Sequence, residues 1–211
     1  MFLQAAIDAP SLANAGASLR RFAGNEYVDR IEIGAPLLSH YGVRAAQYFA
    51  VRCDAGRLYA DTKLVDFPAL ELGPYLRTKI RHFSAMAFMS NESLRELHAL
   101  ANAHGLSVFI STMGFPLSLL EERVCQIREI GFTDFICHGA GAPGTAFDDM
   151  LARATALQGV AGINLVAAGG IDPSNAHRLA VFNFSGLIVG RGLTARTGTN
   201  VAARIVEDAL R

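Results

Sequence analysis

Ile163-Asn164-Leu165-Val166-Ala167-Ala168-Gly169-Gly170, followed soon after by Ser185-Gly186-Leu187-Ile188-Val189-Gly190-Arg191, decides how the chain folds. Both runs are short and apolar, and both stop at glycine, which reads as a buried strand ending in a turn. Upstream, six further runs have the same character: Leu3 to Asp8, Val28 to Gly34, Arg57 to Lys63, Phe83 to Met89, Leu106 to Thr112 and Asp134 to Gly139. A helix-compatible segment follows each, and that alternation marks βα units around a parallel sheet. Eight such units in 211 residues predict a compact (β/α)8 TIM barrel, a single domain over residues 1–211. An open doubly wound sheet is the competing arrangement. It would place G-x-G-x-x-G after the first strand, whereas here the glycine-rich turns follow the last two.

Capping signals support the helices. Ala9-Pro10-Ser11, Ser90-Asn91-Glu92 and Asp172-Pro173 read as starts of the first, fourth and seventh, and Gly24, Gly105 and Gly131 as ends. The third, Pro68 to Ile80, is interrupted by Gly73-Pro74 and should split or kink.

With 51% hydrophobic residues the chain can bury one sizeable core, and with 19 basic against 19 acidic residues it carries no net charge. That balance argues against nucleic acid or an anionic membrane as partner. Cys53, Cys125 and Cys137 are widely spaced and lack a C-x-x-C pair, so they read as reduced thiols. The segment Met1 to Ile7 lacks a basic leader and runs into Asp8, and no apolar run approaches the roughly 20 residues of a membrane span. The expected location is the cytoplasm.

Active sites of βα barrels lie at the C-terminal strand ends. Those ends gather Asp8, Glu32, Asp61 and Lys63, Ser111 and Thr112, His138, Gly169-Gly170, and Gly190-Arg191. Alternation puts Asp61 and Lys63 on one face, close enough to influence each other's ionisation, with Asp66 beyond the strand end. Gly169, Gly170, Gly190 and Arg191 read as a phosphate cradle: glycines expose backbone N–H groups and arginine supplies a planar charged fork. Glycine pairs at strand ends are also ordinary turns. Glu32 and Asp61, on neighbouring strands, suit a hard cation such as Mg²⁺, or form a carboxylate pair neutralised by Lys63 without metal. His138 precedes the small-residue loop Gly139 to Gly144 and is either an acid–base group or a core histidine. The other histidines, His40, His82, His98, His104 and His177, fall on helices or their flanks. Met86, Phe88 and Met89 read as packing, and Arg20-Arg21 as a solvated helix face.

Ala6-Ile7-Asp8, Glu32-Ile33-Gly34-Ala35-Pro36-Leu37, Ala60-Asp61-Thr62-Lys63-Leu64-Val65-Asp66, Ala168-Gly169-Gly170-Ile171 and Ile188-Val189-Gly190-Arg191 together resemble the orotidine 5'-phosphate decarboxylase superfamily, nearly end to end. Glu32 before Ile33-Gly34 resembles its sugar-phosphate branch, that of the 3-hexulose-6-phosphate synthases and 3-keto-L-gulonate-6-phosphate decarboxylases. The resemblance implies a homodimer with the active site at the interface and Asp66 reaching into the partner's barrel. It implies Glu32 and Asp61 as Mg²⁺ ligands, Lys63 stabilising a 1,2-enediolate, His138 transferring a proton, and Asp8 in the same catalytic group. The implied activity is a carbon–carbon lyase, by aldol cleavage or decarboxylation of a phosphorylated ketose. Asp66-Phe67-Pro68 also resembles the orotidylate decarboxylases. The chain departs from the family where an acid usually ends strand five, here Ser111-Thr112-Met113-Gly114, and in Gly139 to Gly144, which has neither aspartate nor arginine. Ala168 stands where threonine is common. Those departures leave open a phosphate-binding barrel without turnover.

Overall fold

Eight parallel strands pair in chain order and close β8 onto β1. They are β1 (Phe2–Ile7), β2 (Arg30–Ile33), β3 (Leu58–Leu64), β4 (His82–Met86), β5 (Ser107–Ser111), β6 (Asp134–His138), β7 (Asn164–Ala168) and β8 (Phe184–Val189). This computed structural model describes residues 1–194 and 201–210. The (β/α)8 barrel expected from the strand pattern is the fold of the chain, and each expected strand is present.

Among the described residues the helices are α1 (Leu12–Ala23), α2 (Ala35–Tyr41), α3 (Val43–Ala50), α4 (Pro68–Leu72), α5 (Asn91–His104), α6 (Leu120–Ile130), α7 (Pro143–Leu157), α8 (Arg191–Thr194) and α9 (Val201–Leu210). Ser11 and Ser90 cap α1 and α5 by accepting from the backbone N–H groups of Asn14 (3.2 Å) and Ser93 (3.0 Å). Gly105 ends α5 in the left-handed conformation that glycine adopts without cost. The third connection splits as expected, α4 giving way at Gly73-Pro74 to a 3-10 turn over Tyr75–Thr78.

The expected seventh helix is absent. Asp172 does not cap one; its carboxylate accepts from the backbone N–H of Ser174 (2.7 Å), and only a 3-10 turn, Ala176–Leu179, follows. A short acceptor side chain before proline stabilises a turn as readily as a helix start, and the short path from β7 to β8 selects the turn. Three smaller expectations also change. His82 begins β4, Phe88 lies beyond that strand and is 49% exposed, and Arg21 donates to the Leu193 carbonyl at 2.6 Å, tying α1 to α8.

The core has two parts. A large apolar layer between strands and helices includes Leu3, Phe49, Phe83 and Phe135. A small inner cluster, Ala6, Tyr59, Phe109, Ile136, Val166, Ala168 and Ile188, fills the lumen. Each large side chain buried in the outer layer contributes about 1.5–3 kcal/mol, so the outer layer carries most of the stabilisation and the lumen can hold polar groups. Phe2, Phe109 and Tyr59 stack edge to face there, with the Arg30 guanidinium 4.0 Å from the Phe2 ring centroid. This closes the floor of the barrel and leaves the C-terminal end open.

Candidate active site

A cavity of about 750 Å³ occupies that open end. Its lining includes Asp8, Glu32, Asp61, Lys63, His138, Gly169, Gly170, Gly190 and Arg191, so the strand-end residues singled out in the sequence share one space. Asp66 is not among the lining residues; its carboxylate accepts from the Phe67 backbone N–H (2.9 Å) and the Ser93 hydroxyl (3.0 Å) on the outer rim.

The centre of the site is a distortion in β3. Its pairing with β4 shifts register between Ala60 and Leu64, and Lys63 sits at φ 48°, a left-handed conformation uncommon outside glycine. A bulge of this kind re-aims side chains, and such strain persists only where surrounding bonds hold it. Here Ser84 holds it. The Lys63 N–H donates to the Ser84 hydroxyl (2.9 Å), which donates to Asp61 (2.7 Å), while the Thr62 hydroxyl donates to the Ser84 carbonyl (2.8 Å). The Lys63 ammonium closes the motif in an ion pair with the other Asp61 oxygen. Asp61 and Lys63 thus meet as expected, through a bulge rather than by regular alternation.

Three acids, Asp8, Glu32 and Asp61, crowd the side of the mouth formed by β1, β2 and β3. Glu32 is buried and accepts from the Gln4 amide at 2.5 Å. Burial, then the nearby Asp61 carboxylate, pushes its carboxyl up to about 8. Asp8, at the water-facing edge, is raised by desolvation and by Asp61. Its carboxylate lies over Gly34, where an added Cβ would come within 2.0 Å of an Asp8 oxygen. The donor set suits a hard divalent cation: two carboxyl groups on neighbouring strands, Glu32 held protonated chiefly by burial and by the Asp61 charge. No cluster of three or more His, Cys, Asp or Glu side chains able to hold a metal occurs among the described residues, so water and ligand oxygens would complete such a shell.

At the ends of β7 and β8, the latter beside β1, Gly169 and Gly170 have φ of 109° and 67°, and Gly190 leads into α8 with Arg191. A Cβ on Gly169 would come within 2.8 Å of the Gly139 carbonyl oxygen. That close approach is one reason for glycine there, beside the exposure of backbone N–H groups to an anion.

The remaining flank belongs to β5 and β6. His138 is half-buried; desolvation and then the Lys63 charge push its imidazole down to about 4, so it is neutral at neutral pH. Its Nδ1 lies 3.4 Å from the Ser111 hydroxyl. Behind it, the buried Arg153 of α7 donates to the carbonyls of Thr112 (2.6 Å) and Phe115 (2.9 Å) and to the Asp149 carboxylate (3.1 Å). Asp149 in turn accepts from the Ala140 N–H at 3.1 Å. Gln4, Ser84 and the Asp149–Arg153 pair were not singled out in the sequence. The only signal for the last is an Asp and an Arg four apart on a helix.

The site is thus a barrel mouth with an acid–lysine pair on β3 and glycine turns after β7 and β8. The chain belongs to the orotidine 5'-phosphate decarboxylase / HUMPS family, whose model matches residues 1–205. It is 24% identical over 197 residues to a 3-hexulose-6-phosphate synthase of Staphylococcus epidermidis, covering 92% of this chain and 90% of the relative. The crystal structure of 3-hexulose-6-phosphate synthase from Salmonella typhimurium superposes with a TM-score of 0.86 at 22% identity, over 100% of this chain and 99% of that one. A 3-keto-L-gulonate-6-phosphate decarboxylase from Vibrio cholerae gives a TM-score of 0.76 at 20% identity, over 99% and 96%.

Proposed function

We propose that the protein is a carbon–carbon lyase acting on a phosphorylated ketose through a 1,2-enediolate, closest in reaction to 3-hexulose-6-phosphate synthase. The observation that carries this reading is the Asp61–Lys63 ion pair, built into a strained bulge, facing the same cavity as His138 and the Gly170, Gly190 and Arg191 turns.

In this reading the glycine turns and Arg191 hold the phosphate and fix the carbon chain across the mouth. Neutral His138 takes the hydroxyl proton of the departing fragment. As the carbon–carbon bond breaks, its electron pair passes into the ketone carbonyl, and the Lys63 ammonium opposes the charge that develops on the enediolate oxygens. His138 then returns the proton to the carbon left behind. Glu32 and Asp61 would hold Mg²⁺, which would supply a second fixed positive charge at that place. Val65, Phe67 and Leu70 are exposed beside or near Asp66 in sequence and support a homodimer in which Asp66 reaches the partner's mouth. The free cysteines fit the cytoplasm, and no helix among the described residues is long and apolar enough to cross a membrane. A second reading, phosphate-ligand binding without turnover, draws on the lack of an acid at the end of β5.

Incubation with Mg²⁺ and ribulose 5-phosphate in deuterated water tests the proposal. Deuterium should enter C1, and formaldehyde should condense there. Turnover of orotidylate without metal would replace the reading with orotidylate decarboxylation, and sugar-phosphate binding with no exchange would favour the binding barrel. Full activity in Lys63→Ala would refute the mechanism.

A further inference from the structure

Closure of the barrel in strand order sets β5 and β6 opposite β1 and β2 across the mouth. The two flanks differ in chemistry. One presents Asp8 and Glu32; the other presents Met113, Gly139, Ala140, Gly141 and Ala146, with His138 as its sole titratable side chain on the cavity among the described residues.

The side chains that this second flank turns to the cavity, Met113, Ala140 and Ala146, are apolar, and six of its backbone N–H groups are engaged within the protein. Backbone N–H groups of Thr112, Phe115 and Gly139 donate to the carbonyls of Ile136 (3.0 Å), Thr112 (3.0 Å) and Ala168 (2.9 Å). Those of Met113, His138 and Ala140 donate to Ser111, Thr112 and Asp149 side chains at 3.4, 3.4 and 3.1 Å. The Thr112 hydroxyl donates to the Ile136 carbonyl at 2.9 Å, away from the cavity. Met113 is set in place by this framework: it occupies a tight turn closed by Phe115 on Thr112, with Gly114 at φ 72°, and Arg153 holds the carbonyls on either side.

The proton and the departing fragment are exchanged at one carbon, and His138 handles that proton from β6. The fragment therefore lies on the β5–β6 flank, against Met113 and Ala140. Beyond the reach of His138, a hydroxyl or carboxylate against Met113, Ala140 and Ala146 would give up water without gaining a side-chain partner, whereas an alkyl group would replace water at the Met113 side chain. We propose that the fragment released from, or added to, the phosphorylated ketose is an aldehyde bearing a short alkyl chain. The inference rests on the enediolate reading above. In the cleavage direction the hydroxyl-bearing carbon becomes the aldehyde carbonyl as its proton passes to His138, and the bonding pair remains with the ketose fragment. No oxidant or reductant is needed.

The test keeps the two readings separate. Deuterium entry at C1 of ribulose 5-phosphate, with Mg²⁺ and no aldehyde, reports enediolate formation alone; its absence overturns both. Condensation is then compared for formaldehyde, acetaldehyde, propionaldehyde and glycolaldehyde. From acetaldehyde to propionaldehyde, whose carbonyls are of similar reactivity, the added methylene should raise kcat/KM about fourfold, and glycolaldehyde should fall below acetaldehyde. Met113→Gln, which places an amide on the flank, should lower the propionaldehyde-to-glycolaldehyde ratio by about tenfold. With exchange intact, condensation with formaldehyde but with no alkyl aldehyde, preference for glycolaldehyde over acetaldehyde, cleavage only of a keto acid with release of carbon dioxide, or an unchanged ratio in Met113→Gln would each overturn the proposal.

Discussion

Ser84→Ala is the most informative single change, because one buried hydroxyl supports both the ion-pair geometry and the strained backbone of β3. Removal takes away a hydrogen bond to the Asp61 carboxylate, worth about 1.5–3 kcal/mol, and leaves the Lys63 N–H without its acceptor, at about 1–3 kcal/mol. Partial overlap of the two terms brings the expected loss to about 3 kcal/mol. For a chain of this size each kcal/mol lowers the midpoint of thermal unfolding by about 2–4 °C, so a fall of about 6–12 °C is expected by calorimetry. Release of Lys63 from its bulge should also slow deuterium exchange at C1 by about ten- to a hundredfold, through misplacement of the ammonium. Ser111→Ala is the control. Ser111 is equally buried, but its hydroxyl contacts are 3.4 Å long, and its loss should lower the midpoint by less than about 3 °C. Equal effects of the two substitutions, or an unchanged midpoint and exchange rate in Ser84→Ala, would refute the view that Ser84 holds the bulge.

Stability should depend on pH in two opposed limbs. His138, lowered from 6.5 to about 4, contributes stability that is lost as pH falls through that window, and Glu32, raised from 4.5 to about 8, contributes stability lost as pH rises through its own. The midpoint measured across pH should therefore plateau between the two and decline toward 8; Glu32→Gln or added Mg²⁺ should flatten the alkaline limb. Arg191→Ala should weaken ribulose 5-phosphate binding about ten- to a hundredfold by calorimetric titration, and an unaltered affinity would remove Arg191 from the cradle. Gly139→Ala should destabilise by more than about 4 kcal/mol, since its Cβ would lie 1.7 Å from the Ala146 carbonyl oxygen, while Gly144→Ala, with open space at its Cβ, should be neutral or stabilising in the same unfolding measurement.

The barrel was legible because its strands are separate apolar runs and its ends carry charge or glycine. Asp61, Lys63, Glu32 and His138 were legible for the same reason, since a charged residue that stops an apolar run stands out locally. Ser84 and Gln4 were not. Both are neutral residues whose importance arises from the strand beside them, and register is a property of pairing between strands rather than of either strand alone. Arg153 illustrates the same limit: among the helical charges of α7 only the fold shows that it points inward to two loop carbonyls. The lost seventh helix has a local cause, because Asp172-Pro173 is as good a turn former as a helix start.

The contact of Gly139 with both Gly169 and Ala146 sets where this scaffold can be varied. Backbone meets backbone there across β6, β7 and α7, so a side chain at 139 or 169 must move a strand or a helix. Met113 and Ala140 instead present side chains to open space in the cavity, on loops anchored from behind by Arg153 and Asp149. Libraries aimed at altered substrate preference should diversify those two positions and leave the glycine seam intact.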